Sequence, residues 1–138
     1  MAKNNEVYID TSAFISFLDK SDTYHPLFAR LFSESKINLI TSPLVISEGH
    51  GWFLKRFDSK KALQFISFIE SLSILTILDI YKKELNSSFL LLRKFLDQNL
   101  TLTDALGLYL MKKRKIEICW STDRHLTITG IPLIIHKI

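Results

Sequence analysis

The chain has 138 residues, of which 47% are apolar and 23% are charged, and its formal net charge is +4. Charged residues interrupt every hydrophobic stretch and the first ten residues lack a signal-peptide profile, which argues against a membrane or secreted protein. The only cysteine, Cys119, excludes an internal disulfide and favours a reducing compartment, so we expect a cytoplasmic protein.

A chain of this length can bury roughly two-thirds of the surface that its unfolded form exposes. We therefore expect one domain over residues 1–138, without an internal repeat or a linker. The net positive charge suits a polyanionic partner but does not require one.

The pattern of apolar residues predicts strands that alternate with helices. In chain order, the predicted elements are a strand at residues 7–9, helices at 13–18 and 27–32, a strand at 38–41, helices at 44–57 and 59–70, a strand at 74–78, helices at 81–95 and 104–113, and strands at 116–121 and 133–136. Thr11 and Ser12 supply capping side chains for the first helix, Ser42 and Pro43 begin the third, and Thr103 is the predicted cap of the last. This alternation predicts an α/β fold, a mostly parallel β-sheet flanked by helices on both faces.

Acidic residues occupy four positions where such a fold binds ligands. Asp10 follows the first strand directly and Asp123 follows strand 116–121, while Glu48 and Asp104 lie in the first turns of two helices. In an open parallel sheet, the carboxyl ends of the strands and the amino ends of the following helices lie on the same edge. We therefore expect all four carboxylates to lie at one edge of the sheet.

Carboxylates that converge without a basic residue repel one another, and some take up protons unless a cation is present. Mg²⁺ and Mn²⁺ prefer oxygen ligands, and such ions can activate water for the in-line displacement of a phosphodiester. Each acid also has a simpler explanation, since Asp104 can stabilise a helix start and Asp123 can cap a loop. The residues alone leave these two interpretations equally open.

Four segments around the acids resemble the motifs of PIN-domain ribonucleases, in the same order and with similar spacing. The segments are YIDTSAFI at 8–15, TSPLVISE at 41–48, LTLTDALGLYL at 100–110 and STDRHL at 121–126. Each motif is weak alone, but four in order over nearly the whole chain are fairly specific. The chain is most similar to the small stand-alone PIN proteins of the VapC toxin type.

This resemblance implies a metal-dependent endoribonuclease that cleaves a structured RNA such as transfer or ribosomal RNA. It implies that Asp10, Glu48 and Asp104 coordinate Mg²⁺ or Mn²⁺, and that Asp123 completes the site directly or through water. It further implies a homodimer and a cognate antitoxin protein whose tail enters the acidic groove. The residues expected to support the site are Thr11, Ser12 and Ser121.

Two departures from the family pattern are visible: Gly49-His50-Gly51 follows Glu48 where a helix-favouring run is expected, and Leu126 replaces a commoner aromatic residue. His50 and His125 lie near the acids in sequence, and we expect them near the site but outside it. The basic run at 112–115 is either a patch for RNA phosphates or, more simply, a solvated helix end.

Two other functions stay open at this stage. One is a catalytically inactive RNA-binding module with the same fold. The other is an aspartate-based phosphotransfer domain, although Ser12 stands where such enzymes often have a second aspartate.

Overall fold

A four-stranded sheet and six α-helices make up the described part of the chain, residues 5–34 and 36–137 of a computed structural model. The strands are β1 (Glu6–Ile9), β2 (Asn38–Thr41), β3 (Leu75–Ile77) and β4 (Cys119–Trp120). The helices are α1 (Thr11–Leu18), α2 (His25–Glu34), α3 (Pro43–Arg56), α4 (Ser59–Ser71), α5 (Lys82–Lys94) and α6 (Leu102–Lys113). Short 3₁₀ turns follow at Leu96–Gln98, Arg124–Thr127 and Ile134–His136.

The strand order is β3-β2-β1-β4, and every strand pair is parallel. The first three strands advance across the sheet in one direction, whereas the connection from β3 to β4 returns to the opposite edge. Right-handed crossovers then place α1 to α4 on one face and α5 with α6 on the other. The prediction of a mostly parallel sheet covered on both faces is thereby confirmed.

Capping side chains determine where two helices begin. Ser42 Oγ accepts a hydrogen bond from the Val45 amide at 3.4 Å, and Pro43 takes the first position of α3, as expected. The predicted start of α6 was wrong by two residues, because Thr101 rather than Thr103 caps it. The amide of Asp104 donates to Thr101 Oγ1 at 3.1 Å, and Asp104 Oδ2 accepts from the Thr101 amide at 3.2 Å.

The predicted last strand, at residues 133–136, was also wrong. Leu133 makes one isolated parallel bridge to Cys119, after which the chain turns into a 3₁₀ segment. The amides of His136 and Lys137 donate to Leu133 and Ile134 within this turn, both at 3.0 Å, so they are not available for a strand ladder. The predicted strand at 116–121 likewise shortens to the two residues of β4.

Two glycines permit close approaches inside the core. A Cβ added at Gly49 in α3 would lie 2.6 Å from the Phe65 ring of α4, and one at Gly107 in α6 would lie 3.0 Å from the Tyr8 ring of β1. Cβ atoms in proteins essentially never lie within 3.0 Å of another side chain. The absence of a Cβ at Gly49 therefore lets α3 and α4 pack together. The unexpected glycine after Glu48 therefore has a packing explanation.

The end of α6 supports the simpler interpretation of the basic run at 112–115. Arg114 makes a bidentate ion pair with Glu6, at 3.0 and 2.6 Å, and Lys113 lies 3.8 Å from a Glu84 carboxylate oxygen. These cations are thus engaged with acids of the same chain. Among the helices that the structure describes, none combines the length and apolar character needed to cross a bilayer.

Candidate metal centre

Asp10 is the most deeply buried of the four predicted acids, since it lies immediately after β1 and only 3% of it is exposed. Its Oδ2 accepts hydrogen bonds from Ser12 Oγ and Ser121 Oγ, both at 3.1 Å, and a longer one from the Ser12 amide at 3.5 Å. One hydroxyl group lies in the first turn of α1, and the other lies directly after β4. They therefore fix the orientation of the buried carboxylate from two sides.

The loops after β1 and β4 are joined by the same hydroxyl groups. Ser12 Oγ lies 3.0 Å from Ser121 Oγ and accepts from the Thr122 amide at 2.9 Å, while Ser121 Oγ accepts from the Asp123 amide at 2.9 Å. The pairing of β1 with β4 brings these loops together, and the Asp10 amide extends it by donating to the Trp120 carbonyl at 3.0 Å. Ser12 and Ser121 thus lie where a supporting role for them was predicted.

Asp104 reaches the site from the first turn of α6 and is 5% exposed. Its carboxylate takes part in the capping box with Thr101, so the bond that begins the helix also orients the acid. Capping and site formation are therefore not alternatives for this residue, since one side chain can do both.

Asp123 and His125 complete a compact group with Asp104. Asp123 Oδ1 accepts from the His125 amide at 3.0 Å, and the Nδ1 atom of His125 lies 3.0 Å from Asp123 Oδ1 and 3.7 Å from Asp104 Oδ2. One potential ligand atom from each of these three residues lies within 4.8 Å of the others. His125, which was expected near the site but outside it, thus offers a potential ligand atom beside two of the predicted acids. Its position two residues after Asp123, in a tight turn, was the available signal.

Glu48 is exposed on α3 and, like Asp10, is outside that compact group. Its Oε1 accepts a hydrogen bond of 2.5 Å from Thr11 Oγ1, which links α3 to the start of α1. Its negative charge nevertheless contributes to raising the pKa of Asp10. The side chain of Thr11, which was predicted to support the site, therefore contacts Glu48.

The electrostatics of the site oppose negative charge on its buried acids. Burial, followed by the nearby charges of Asp104, Glu48 and Asp123, raises the pKa of Asp10 from 3.8 to about 6, although a hydrogen bond from the Thr11 backbone acts in the other direction. Burial also raises the pKa of Asp104 above its ordinary value, with a contribution from Asp123. A cation among these groups would remove the repulsion.

The donor set fits a divalent cation that prefers oxygen. The atoms available are carboxylate oxygens with one neighbouring imidazole nitrogen, a set suited to Mg²⁺ or Mn²⁺. The two acids with raised pKa values are each no more than 5% exposed. Hydroxyl groups orient the Asp10 carboxylate, and the Thr101 amide orients that of Asp104. This is the arrangement expected of ligands whose orientation is supported by surrounding hydrogen bonds.

Comparison with known proteins gives one family and one fold. Residues 7–131 match the family model described as the PIN domain. No curated protein matches the sequence. Among solved structures, the chain is similar to Mycobacterium tuberculosis VapC20, titled a sarcin-ricin loop cleaving toxin, with a TM-score of 0.82 and 18% identity over 91% of this chain and 95% of that one. At this identity, the likeness shows a shared fold.

Proposed function

Since the chain belongs to the PIN domain family, we propose that it is an endoribonuclease that hydrolyses RNA phosphodiester bonds with metal-activated water. The observation that carries the proposal is the buried Asp10 carboxylate, whose pKa is raised to about 6 by burial and by three neighbouring acids. Acids with perturbed pKa values cluster at active sites. The family membership identifies which chemistry these acids would perform.

The metal-holding residues in this proposal are Asp10, Glu48, Asp104 and Asp123. A bound Mg²⁺ or Mn²⁺ would supply a water of lowered pKa and positive charge for the leaving oxygen. The protein's own contribution is orientation, because the Ser12 and Ser121 hydroxyl groups bind one oxygen of Asp10 and limit its rotation.

His125 is an addition to the predicted site. From Nδ1 its ring can donate to Asp123 Oδ1 at 3.0 Å, so it can hold that carboxylate against Asp104. With the amide of His125 bound to the same oxygen, Asp123 has two donors on one side. We assign His125 the role of positioning Asp123.

The partners of this proposal follow from the relative with the same fold. VapC20 is titled a sarcin-ricin loop cleaving toxin. By analogy, we propose that this chain is the toxin of a VapBC-type pair that acts on ribosomal or transfer RNA. A cognate antitoxin would then occupy the acidic groove, and a homodimer in the cytoplasm would be the active form. Residues 1–138 would act as a single PIN domain.

The test is cleavage of RNA by the purified full chain. Total cellular RNA and a synthetic sarcin-ricin loop hairpin are incubated with Mn²⁺, Mg²⁺ or EDTA, and the products are resolved on denaturing gels. We expect cuts at defined positions with metal and none with EDTA. Asp10→Asn should lower the rate by at least about 100-fold, since even residues that only support metal ligands contribute about 10- to 100-fold.

Asp97→Asn is the matched control, because Asp97 is an exposed acid on the Leu96–Gln98 turn. It should cleave at the wild-type rate. Intact RNA under every condition, or equal cleavage by wild type and Asp10→Asn, would refute the proposal. RNA binding without cleavage would indicate a binding module, and transient labelling by acetyl phosphate would indicate phosphotransfer.

A further inference from the structure

A pocket of about 470 Å³ opens beside the acidic group, and its walls are Gln98, Arg124, His125, Thr127 and Ile128. His125 belongs to both, since its Nδ1 atom lies 3.0 Å from Asp123 Oδ1. The volume falls within the range of about 300 to 1,000 Å³ that is usual for pockets that bind small ligands. The pocket is therefore large enough for part of a substrate whose reacting group lies over the acids.

Arg124 gives the pocket its cationic wall. It follows Asp123 in the chain and is exposed. Within the described residues, no hydrogen bond or ion pair engages its guanidinium group. Its backbone carbonyl accepts from Thr127 Oγ1 at 2.7 Å, which fixes the turn that carries it. A guanidinium with its donors unused is well suited to binding a phosphate.

The remaining walls suit a nucleobase. Gln98 ends the turn after α5 and is exposed, and its side-chain amide can both donate and accept at a base edge. Ile128 and the ring of His125 are half-buried and present apolar or aromatic surface to the face of a base. The same pocket thus contains a cationic side chain that can bind a phosphate and a neighbouring surface that can bind a base.

We propose that this pocket binds one nucleotide of the RNA strand, next to the phosphodiester that is cut, and thereby determines nucleotide preference at the cleavage site. Arg124 contacts the flanking phosphate, and Gln98 contacts the edge of the base. The inference rests on the proposed ribonuclease function, because it assigns the scissile phosphate to the acidic group. It also explains how a polyanion can approach that group, since Arg124 supplies the positive charge beside it.

Binding is tested separately from catalysis. The ¹⁵N-labelled full chain is titrated with the four 5′-nucleoside monophosphates in EDTA, which keeps phosphate from binding a metal, and amide shifts are followed by NMR. We expect the largest shifts at Gln98, Thr127 and Ile128, with one base preferred over the others. Arg124→Gln should weaken binding about 10-fold, the usual effect of losing a charged hydrogen bond to phosphate.

Arg30→Gln is the matched control, because Arg30 is an exposed arginine on α2 that does not line this pocket. It removes the same charge and should leave nucleotide affinity unchanged. Gln98→Ala should reduce the difference among the four bases while Arg124 still binds phosphate. Shifts that lie elsewhere, equal weakening by the two arginine variants, or identical shifts from inorganic phosphate alone would overturn the proposal.

Cleavage assays separate this proposal from the ribonuclease proposal. If wild-type protein cuts RNA, Arg124→Gln should raise KM about 10-fold with a smaller change in kcat, and it should alter the pattern of cut sites. If KM and the cut sites are unchanged, the proposed role of the pocket is refuted, whereas the ribonuclease function is retained. If the protein binds a nucleotide specifically but cleaves no RNA, the ribonuclease function is refuted, whereas nucleotide binding by the pocket is retained.

Discussion

Replacing Asp10 with asparagine should stabilise the metal-free protein while abolishing its activity. Burial and neighbouring acids raise the pKa of Asp10 from 3.8 to about 6. At 1.36 kcal/mol for each pH unit, the ionised carboxylate costs the fold about 3 kcal/mol at neutral pH. Asparagine removes that charge and keeps an oxygen that can accept from Ser12 and Ser121, so much of this free energy should be recovered.

The pH dependence of this effect has a defined sign. Below about pH 3.8 the carboxyl is protonated in both the folded and the unfolded chain, so it costs nothing. Between 3.8 and about 6 the unfolded chain ionises first, and stability falls as pH rises. Linkage then gives a penalty of about 3 kcal/mol at pH 7 and roughly half of that at pH 5, so the stabilisation by Asp10→Asn should about double across this range.

Urea unfolding followed by circular dichroism measures the effect, with EDTA present at pH 5, 6 and 7. Wild-type protein should lose stability across this range relative to Asp10→Asn, whereas Asp97→Asn should remain parallel to wild type. Parallel profiles for wild type and Asp10→Asn would show that the folded protein does not raise the pKa of the Asp10 carboxyl group. The argument for a cation at this position would then fail.

Three other predictions concern packing and metal binding. Gly49→Ala should lower the free energy of unfolding by about 1–3 kcal/mol because its Cβ would collide with Phe65. Gly51→Ala, in the same helix with open space around it, should raise that free energy by up to about 1 kcal/mol, and equal effects in urea unfolding would contradict the packing explanation. Mn²⁺ at 100 times its Kd should stabilise wild type by about 2.7 kcal/mol in thermal unfolding, and a similar gain in Asp10→Asn would place the ion elsewhere. Ser121→Ala removes a donor to Asp10 Oδ2 and should weaken Mn²⁺ binding about 10-fold by calorimetry; an unchanged Kd would remove Ser121 from the site.

Local sequence was sufficient to predict much of the fold. The alternation of apolar strands with amphipathic helices depends on neighbouring residues, and so does the cap formed by Ser42 and Pro43. The order of strands and helices then predicts that Asp10 and Asp104 share one edge, because that rule is a property of parallel sheets. The family, too, was recognised from four short motifs, and the family model over residues 7–131 confirms it.

Short-range ambiguity explains the errors at element ends. Both Thr101 and Thr103 are acceptable caps, and only the reciprocal bond between Thr101 and Asp104 decides between them. Residues 133–136 are apolar enough for a strand, yet their amides are used in a local turn. Such choices depend on which backbone groups find partners, and the sequence pattern does not contain that information.

By itself, the sequence determined the α/β class, the order of β1 to β4 and α1 to α6, and the edge at which the acids lie, because each of these follows from periodicity and from residue order along the chain. Only the tertiary structure decided that β4 pairs with β1, which brings Ser121 against Asp10 across 111 positions of sequence. The same pairing places His125 beside Asp104 and leaves Arg124 on the wall of a pocket. These contacts join residues that are distant in the chain, so they exist only once the sheet has formed.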